Sequence, residues 1–194
     1  MNIVLDLDLT LVKSSDRTKD LFKINLPLSE RHRIYHFDIY LEDEIIDISG
    51  IVRPYVPEFL KFCFDYFDNV IVWSAGKREY VEMITNHIFE NVGIPHAVYT
   101  YDDVEEINGN TIKPLSKILP YHEGMDYTNT LCLDDTLSTF SRNKDNGMYC
   151  IPYDPSCTKR DCMANDSSLL DLMKWFRTLD KTKDVRSIRK IWNS

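Results

Sequence analysis

Two apolar runs in this chain end in paired carboxylates. Ile3-Val4-Leu5 leads into Asp6-Leu7-Asp8, and Leu131-Cys132-Leu133 leads into Asp134-Asp135. Short unbroken apolar runs read as strands buried on both faces, the habit of a parallel sheet. A third run, Val70-Ile71-Val72-Trp73, ends at Ser74. In open parallel sheets the ligand binds beyond the carboxyl ends of the strands. Three strand ends carrying Asp6/Asp8, Ser74 and Asp134/Asp135 therefore point to one site.

The stretches between these runs alternate in kind. Val56, Phe59, Leu60, Cys63, Phe64 and Phe67 recur at helical spacing within 54–68, with Pro54 suited to the entry. A second helix is expected over 78–92, with Tyr80, Val81, Ile84, Ile88 and Phe89 inward and Gly93 and Pro95 as its stop. Residues 166–178 predict a C-terminal helix, and a short last one is expected from about Val185 to Trp192. Tyr35, Phe37, Ile39 and Leu41 alternate with His36 and Asp38, and Ile45 to Ile48 return after Glu42-Asp43-Glu44, which predicts a half-exposed hairpin. Residues 14–33 are polar and mixed and read as loop or insertion. Gly50 precedes a second short strand or loop, Ile51-Val52-Arg53. Strands are expected at 97–101 and 149–151, and Asn108-Gly109 marks a tight turn. The whole pattern predicts an α/β fold, with a mostly parallel central sheet flanked by helices. One domain is expected over 1–194, with a small insertion at about 14–50.

With 194 residues, 43% of them hydrophobic, the chain can bury one substantial core. Its net charge of −8 argues against direct nucleic-acid binding, which relies on basic patches. The five cysteines make no even framework. Cys150, Cys157 and Cys162 lie near one another but lack a fourth zinc ligand, so free thiols are expected. No basic leader opens the chain and no apolar stretch is long enough to span a bilayer, so a soluble intracellular protein without membrane contact is expected. Cytoplasm and nucleus are not distinguishable from the sequence, and no oligomeric state is legible.

Each candidate residue has a bland reading beside the chemical one. Asp6 and Asp8 alone fit two surface aspartates at a strand end, and Asp134-Asp135 fits a polar exit from a strand. Taken together, two acidic strand ends in one sheet repel unless a cation or a shared proton lies between them. Mg2+, a hard ion held by a few carboxylates, waters and substrate phosphate, suits such a site. Lys113 follows a strand-like segment and would bind a phosphate oxygen, though a lone lysine is usually a solvated surface residue. The Ser74 hydroxyl would donate to phosphate; a routine loop serine is the alternative. Arg78, near the first turn of the next helix, would bind phosphate or an acidic group. A surface arginine fits it equally well. Arg53, before Pro54, reads as a strand-end salt bridge. The five histidines show no metal-ligand spacing.

Asp6-Leu7-Asp8-Leu9-Thr10 resembles the DxDx(T/V) motif of haloacid-dehalogenase-like phosphatases. Leu11-Val12-Lys13-Ser14-Ser15 is similar to the FCP/SCP branch, which dephosphorylates the C-terminal domain of RNA polymerase II. The same branch is resembled by Val52-Arg53-Pro54 through Leu60, by Trp73-Ser74 through Tyr80, and by Ile112-Lys113-Pro114-Leu115-Ser116. Leu133-Asp134-Asp135-Thr136 with Phe140 and the tail at 183–188 complete the set. Leu137 stands where the branch carries proline, and Pro114 where it carries an acid.

The resemblance implies a Rossmann-like haloacid dehalogenase fold with no large cap domain. It implies a Mg2+-dependent hydrolase of phosphoserine or phosphothreonine in proteins, acting through an aspartyl-phosphate. Asp6 would be the nucleophile and Asp8 the acid and base. Mg2+ would be held by the Asp6 side chain, the Asp8 carbonyl and Asp135, with Asp134 as a ligand or its neighbour. Ser74 and Lys113 would bind phosphoryl oxygens, Arg78 would help position substrate, and Thr10 would order the loop at the substrate site. The partner would be a phosphorylated protein or peptide, a polymerase tail among the candidates, with the 34–48 hairpin shaping its groove. A phosphatase for a small molecule or a nucleic-acid phosphate end, and a non-catalytic phosphopeptide-binding module, are the alternatives.

Overall fold

In a computed structural model of the chain, residues 1–16, 28–41, 44–155 and 166–190 are described. In chain order their strands are β1 (Asn2–Leu5), β2 (Val12–Ser15), β3 (Ile34–Leu41), β4 (Glu44–Val52), β5 (Val70–Trp73), β6 (Ala97–Tyr99), β7 (Glu105–Ile107), β8 (Asn110–Ile112), β9 (Thr130–Asp134) and β10 (Gly147–Tyr149). The helices are α1 (Val56–Tyr66), α2 (Arg78–Phe89) and α3 (Ser168–Phe176).

Five parallel strands form the central sheet in the order β10-β9-β1-β5-β6. Alternation along each strand sends side chains to opposite faces. Ile3, Leu5, Val70, Val72, Leu131 and Leu133 face one core cluster, into which all three helices pack. Val4, Ile71, Trp73 and Cys132 face a second cluster. That side is covered by short 3₁₀ segments carrying Leu115, Ile118 and Phe140 rather than by long helices. Burial on both sides explains the unbroken apolar runs, each fully buried side chain contributing roughly 1.5–3 kcal/mol.

The predicted hairpin is present. β3 and β4 pair from Ile34↔Ile51 to Leu41↔Glu44, with Tyr35 and Ile39 buried. Two readings around it are corrected. Ser14 and Ser15 are not loop: they belong to β2 and pair with Gly50 and Ser49. Ile51-Val52 is not a separate strand but the end of β4, so β2, β4 and β3 form a three-stranded antiparallel sheet. Gly50 is required here by close approach. A Cβ on it would lie 2.2 Å from the Tyr35 ring and hydroxyl.

Other boundaries also move. In α1 it is Pro57, not Pro54, that sits in the first turn, where its missing N–H costs nothing. α2 stops at Phe89, short of 92. β6 ends at Tyr99 because Thr100 and Asp103 cap a 3₁₀ turn over Tyr101–Asp103. The strand expected at 149–151 lies earlier, over Gly147–Tyr149. The expected last helix is one 3₁₀ turn, Val185–Ser187, capped by Asp184, and Trp192 lies outside the described residues. Asn108 and Gly109 have φ of 52° and 74° and form the two-residue turn between β7 and β8. Both residues being left-handed is the pattern of a type I′ hairpin. Cys63, Cys132 and Cys150 are free and buried; Cys157 and Cys162 lie outside the described residues. No helix among the described residues is long and apolar enough to cross a membrane.

Candidate active site

The register of the sheet brings the strand ends together. Leu5 pairs with Val72 on one side and Leu133 on the other, so Asp6, Trp73 and Asp134 follow at one level. Asp6 N–H donates to the Leu133 carbonyl at 3.0 Å. A cavity of about 540 Å³ opens at this carboxyl edge, lined by Asp6, Asp8, Ser74, Lys113, Asp134 and Asp135. The β7–β8 turn walls one side through Gly109, Asn110 and Thr111.

Lys113 leaves β8 with its N–H bonded to the Thr139 carbonyl. Its Nζ donates to Asp6 Oδ1 at 2.6 Å and to Asp134 Oδ2 at 2.7 Å, and all three side chains are buried. Burial alone would pull the ammonium down, but the charges of Asp6 and Asp134 carry it above the ordinary lysine value. Burial pushes the Asp6 carboxyl up to about 8; Lys113 opposes this, and the charges of Asp134 and Asp8 add to it. Asp134 Oδ1 accepts from Thr136 N–H at 2.8 Å, so both of its oxygens are engaged. Asp135 is raised first by partial burial and then by the Asp134 charge.

Four carboxylates thus share this cavity with one lysine among its lining residues. Oxygens of Asp6, Asp134 and Asp135 all lie within 4.8 Å of one another, and Asp6 Oδ2 is buried without a hydrogen-bond partner. A buried anionic oxygen with no donor is costly. An excess of hard oxygen donors with an orphaned carboxylate oxygen among them fits a divalent cation such as Mg2+. The Asp8 carboxylate is not one of that cluster. Its Oδ1 accepts from the Tyr80 hydroxyl at 2.5 Å, and burial, opposed by the Tyr80 and Ser14 hydroxyls, raises its pKa.

Ser74 is almost fully buried at the end of β5 and lines the cavity. Its Oγ accepts from Gly76 N–H at 3.1 Å, which leaves its own proton free to donate into the cavity. Leu9 sits at φ 60° on the cavity wall, a left-handed conformation uncommon for this residue type. The N–H groups of Leu11 and Val12 both bond to the Leu7 carbonyl, winding this loop tightly.

Two expected substrate-site residues are not brought to the cavity. Thr10 is fully buried by that winding and does not line the cavity; its carbonyl accepts from Arg53 Nη1 at 3.0 Å. Arg78 points along the outside of α2, half exposed, and pairs with Asp102 at 3.4 Å and Glu82 at 3.7 Å.

Other residues carry more of the site than their sequence context suggested. Arg53 is not a simple strand-end ion pair. It is 1% exposed, and besides Thr10 it donates to the Ile151 carbonyl at 3.1 Å, to Cys150 Sγ at 2.9 Å and to Asp166 at 2.9 Å. Tyr80, expected as a core residue, reaches Asp8. Ser14 Oγ bonds the hydroxyls of Tyr80 and Tyr35, the latter at 2.6 Å. A Ser or Tyr at an inward position was the available signal, since buried hydroxyls must find partners.

A family model described as NLI interacting factor-like phosphatase matches residues 1–186. A probable C-terminal domain small phosphatase of Dictyostelium discoideum is 28% identical over 96% of this chain and 53% of its own length. The human carboxy-terminal domain RNA polymerase II polypeptide A small phosphatase 1 is 25% identical over 96% of this chain and 62% of its own. This chain therefore spans between half and two thirds of those relatives. The structure of Fcp1, an essential RNA polymerase II CTD phosphatase, superposes with a TM-score of 0.64 at 16% identity, covering 79% of this chain and 42% of that one. Fission yeast Fcp1-R271A bound to beryllium fluoride gives 0.63 over 96% of this chain and 52% of that one. The fold is thus that of these phosphatases, and with the family model covering nearly its whole length the chain belongs to the NLI interacting factor-like phosphatase family.

Proposed function

We propose that the chain is a Mg2+-dependent phosphoprotein phosphatase working through a phosphoryl group on Asp6. The observation that carries this reading is the state of Asp6. It lies at the cavity floor with one oxygen on Lys113 and the other buried and unpartnered. A carboxylate so disposed is suited to covalent catalysis, which divides one difficult displacement into two easier ones.

In the first step an Asp6 oxygen bonds to phosphorus as the ester P–O bond breaks, and Asp8 gives its proton to the departing alkoxide. In the second, water bonds to phosphorus, its proton passes to Asp8, and the Asp6–phosphorus bond breaks. Asp8 returns to its starting state, and one ester and one water give one alcohol and one phosphate. Lys113 and Ser74 face the phosphoryl oxygens, Lys113 held in place by Asp134. Asp6, Asp135 and the Asp8 carbonyl would hold Mg2+, with Asp134 beside them; bound there, the ion neutralises charge between a carboxylate and an anionic phosphate.

The substrate proposed is phosphoserine or phosphothreonine in an extended protein segment. Relatives named for the RNA polymerase II C-terminal domain make such a tail the first candidate. A surface longer than a single phosphoryl group supports a peptide over a small molecule. A second groove of about 480 Å³ shares Asn110 and Ser138 with the first cavity and runs past Ile107 to Arg142.

The test is turnover of p-nitrophenyl phosphate with and without Mg2+, beside Asp6→Asn, followed by a phosphopeptide panel. Magnesium-dependent turnover abolished in Asp6→Asn is expected. Folded wild-type protein inert on the aryl ester and on every peptide would overturn the enzymatic reading in favour of a phosphopeptide-binding module.

A further inference from the structure

Three hydroxyls link the β3–β4 hairpin to the carboxylate proposed above as the acid and base, and this inference rests on that role. Tyr35 on β3 bonds Ser14 Oγ on β2 at 2.6 Å; Ser14 bonds Tyr80 on α2; Tyr80 donates to Asp8 Oδ1 at 2.5 Å. Each hydroxyl has one proton to give, and an ionised carboxylate can only accept. Tyr80 spends its proton on Asp8, while Ser14 bridges the Tyr35 and Tyr80 hydroxyls and itself favours the Asp8 charge. The hydroxyls therefore run without a break from the hairpin to Asp8.

The Tyr80 contact has a chemical consequence at Asp8. With Oδ1 already accepting from Tyr80, the proton that Asp8 takes up and gives away belongs on Oδ2. We propose that Tyr80 is the positioning residue for Asp8, reserving Oδ1 so that the transferable proton sits on Oδ2, and that Ser14 and Tyr35 hold Tyr80 in that duty. The hairpin then acts on the chemistry. Its grip has a steric basis in Gly50, since any Cβ there would strike the Tyr35 ring. Tyr35 is held from the other side by Phe37 and His87, with ring centroids 5.5 and 5.3 Å away.

Leaving-group dependence of kcat/KM separates this role from simple structural support. Nitrophenolate departs without a proton, whereas the alkoxide of a phosphoserine peptide needs one, and kcat/KM reports the first chemical step alone. Tyr80→Phe is expected to lower kcat/KM for the phosphoserine peptide by about ten- to a hundredfold, in the range of acid–base contributions, and for p-nitrophenyl phosphate by less than about threefold. Asp8→Asn is expected to show the same bias more strongly, and the double variant no further bias, because the two residues act as one unit. Tyr35→Phe and Gly50→Ala should show the bias more weakly, and they carry the test if Tyr80→Phe is poorly folded by circular dichroism. An equal loss on both substrates, or none, in variants that fold while Asp8→Asn keeps its bias would overturn the positioning role. An unbiased Asp8→Asn would instead overturn the acid–base reading of Asp8 on which it rests.

Discussion

At Asp6 two demands meet on one carboxyl group. Burial lifts its pKa to about 8, while the proposed cation needs it ionised. Proton and metal therefore compete. Below about pH 8 the apparent Mg2+ affinity should weaken as pH falls, approaching tenfold per unit. Magnesium titrations of turnover at pH 6, 7 and 8 check this; a pH-independent midpoint would contradict it. Lys113 supplies the opposite case. Replacing it by methionine leaves Asp6 and Asp134 buried against each other without their ammonium. A loss of about 3–5 kcal/mol in denaturant unfolding is expected, as for other broken buried pairs, together with loss of turnover. At this scale Asp6, Asp8, Ser74, Asp134 and Asp135 were legible because each terminates or follows an apolar run, and Lys113 through the resemblance of its 112–116 segment. Tyr80, Ser14, Tyr35 and Arg53 were not. Their work depends on which distant backbone or hydroxyl they meet, and local pattern carries no record of that.

Among the elements, the hairpin and α2 are joined by a histidine between aromatic rings. His87 lies with its centroid 5.3 Å from Tyr35 and 5.1 Å from Phe37, and burial lowers its pKa. A folded-state value below the ordinary one means that the unfolded chain takes up the proton first as pH falls. The associated stability is present above the ordinary histidine range, about pH 6.5, and is lost as pH drops through the lowered folded value. The raised Asp6 carboxyl acts with the opposite sign in the same interval, so the check is a difference: between pH 7.5 and 5 the melting temperature of His87→Phe should fall less, or rise more, than that of the wild type. The strands were legible from runs and alternation, and the Asn108-Gly109 turn from its residue types. Ends of elements were less so. α2 and β6 stop where hydrogen bonds of the next segment take over, and the second core face is covered by 3₁₀ turns too short to impose a period.

For the molecule as a whole, the charge of −8 opposes the approach of an anionic peptide. Added salt screens that repulsion, the Debye length falling from about 30 Å at 10 mM to about 8 Å at 150 mM. kcat/KM for a multiply charged phosphopeptide should therefore rise over that interval, while p-nitrophenyl phosphate changes less. A fall with salt would point instead to a local basic track outweighing the net charge.

Arg53 bears on how the molecule comes into being. The loop that follows the first strand is pinned through this side chain to Ile151 and Asp166. The first strand itself lies between strands that begin at residues 70 and 130. A ribosome delivers residue 6 first and residue 166 only after 160 more residues. The nascent polypeptide thus carries Asp6, the proposed nucleophile, long before it has the framework that holds the loop beyond it. Activity should switch on in a single step once residue 166 has emerged, rather than grow with chain length.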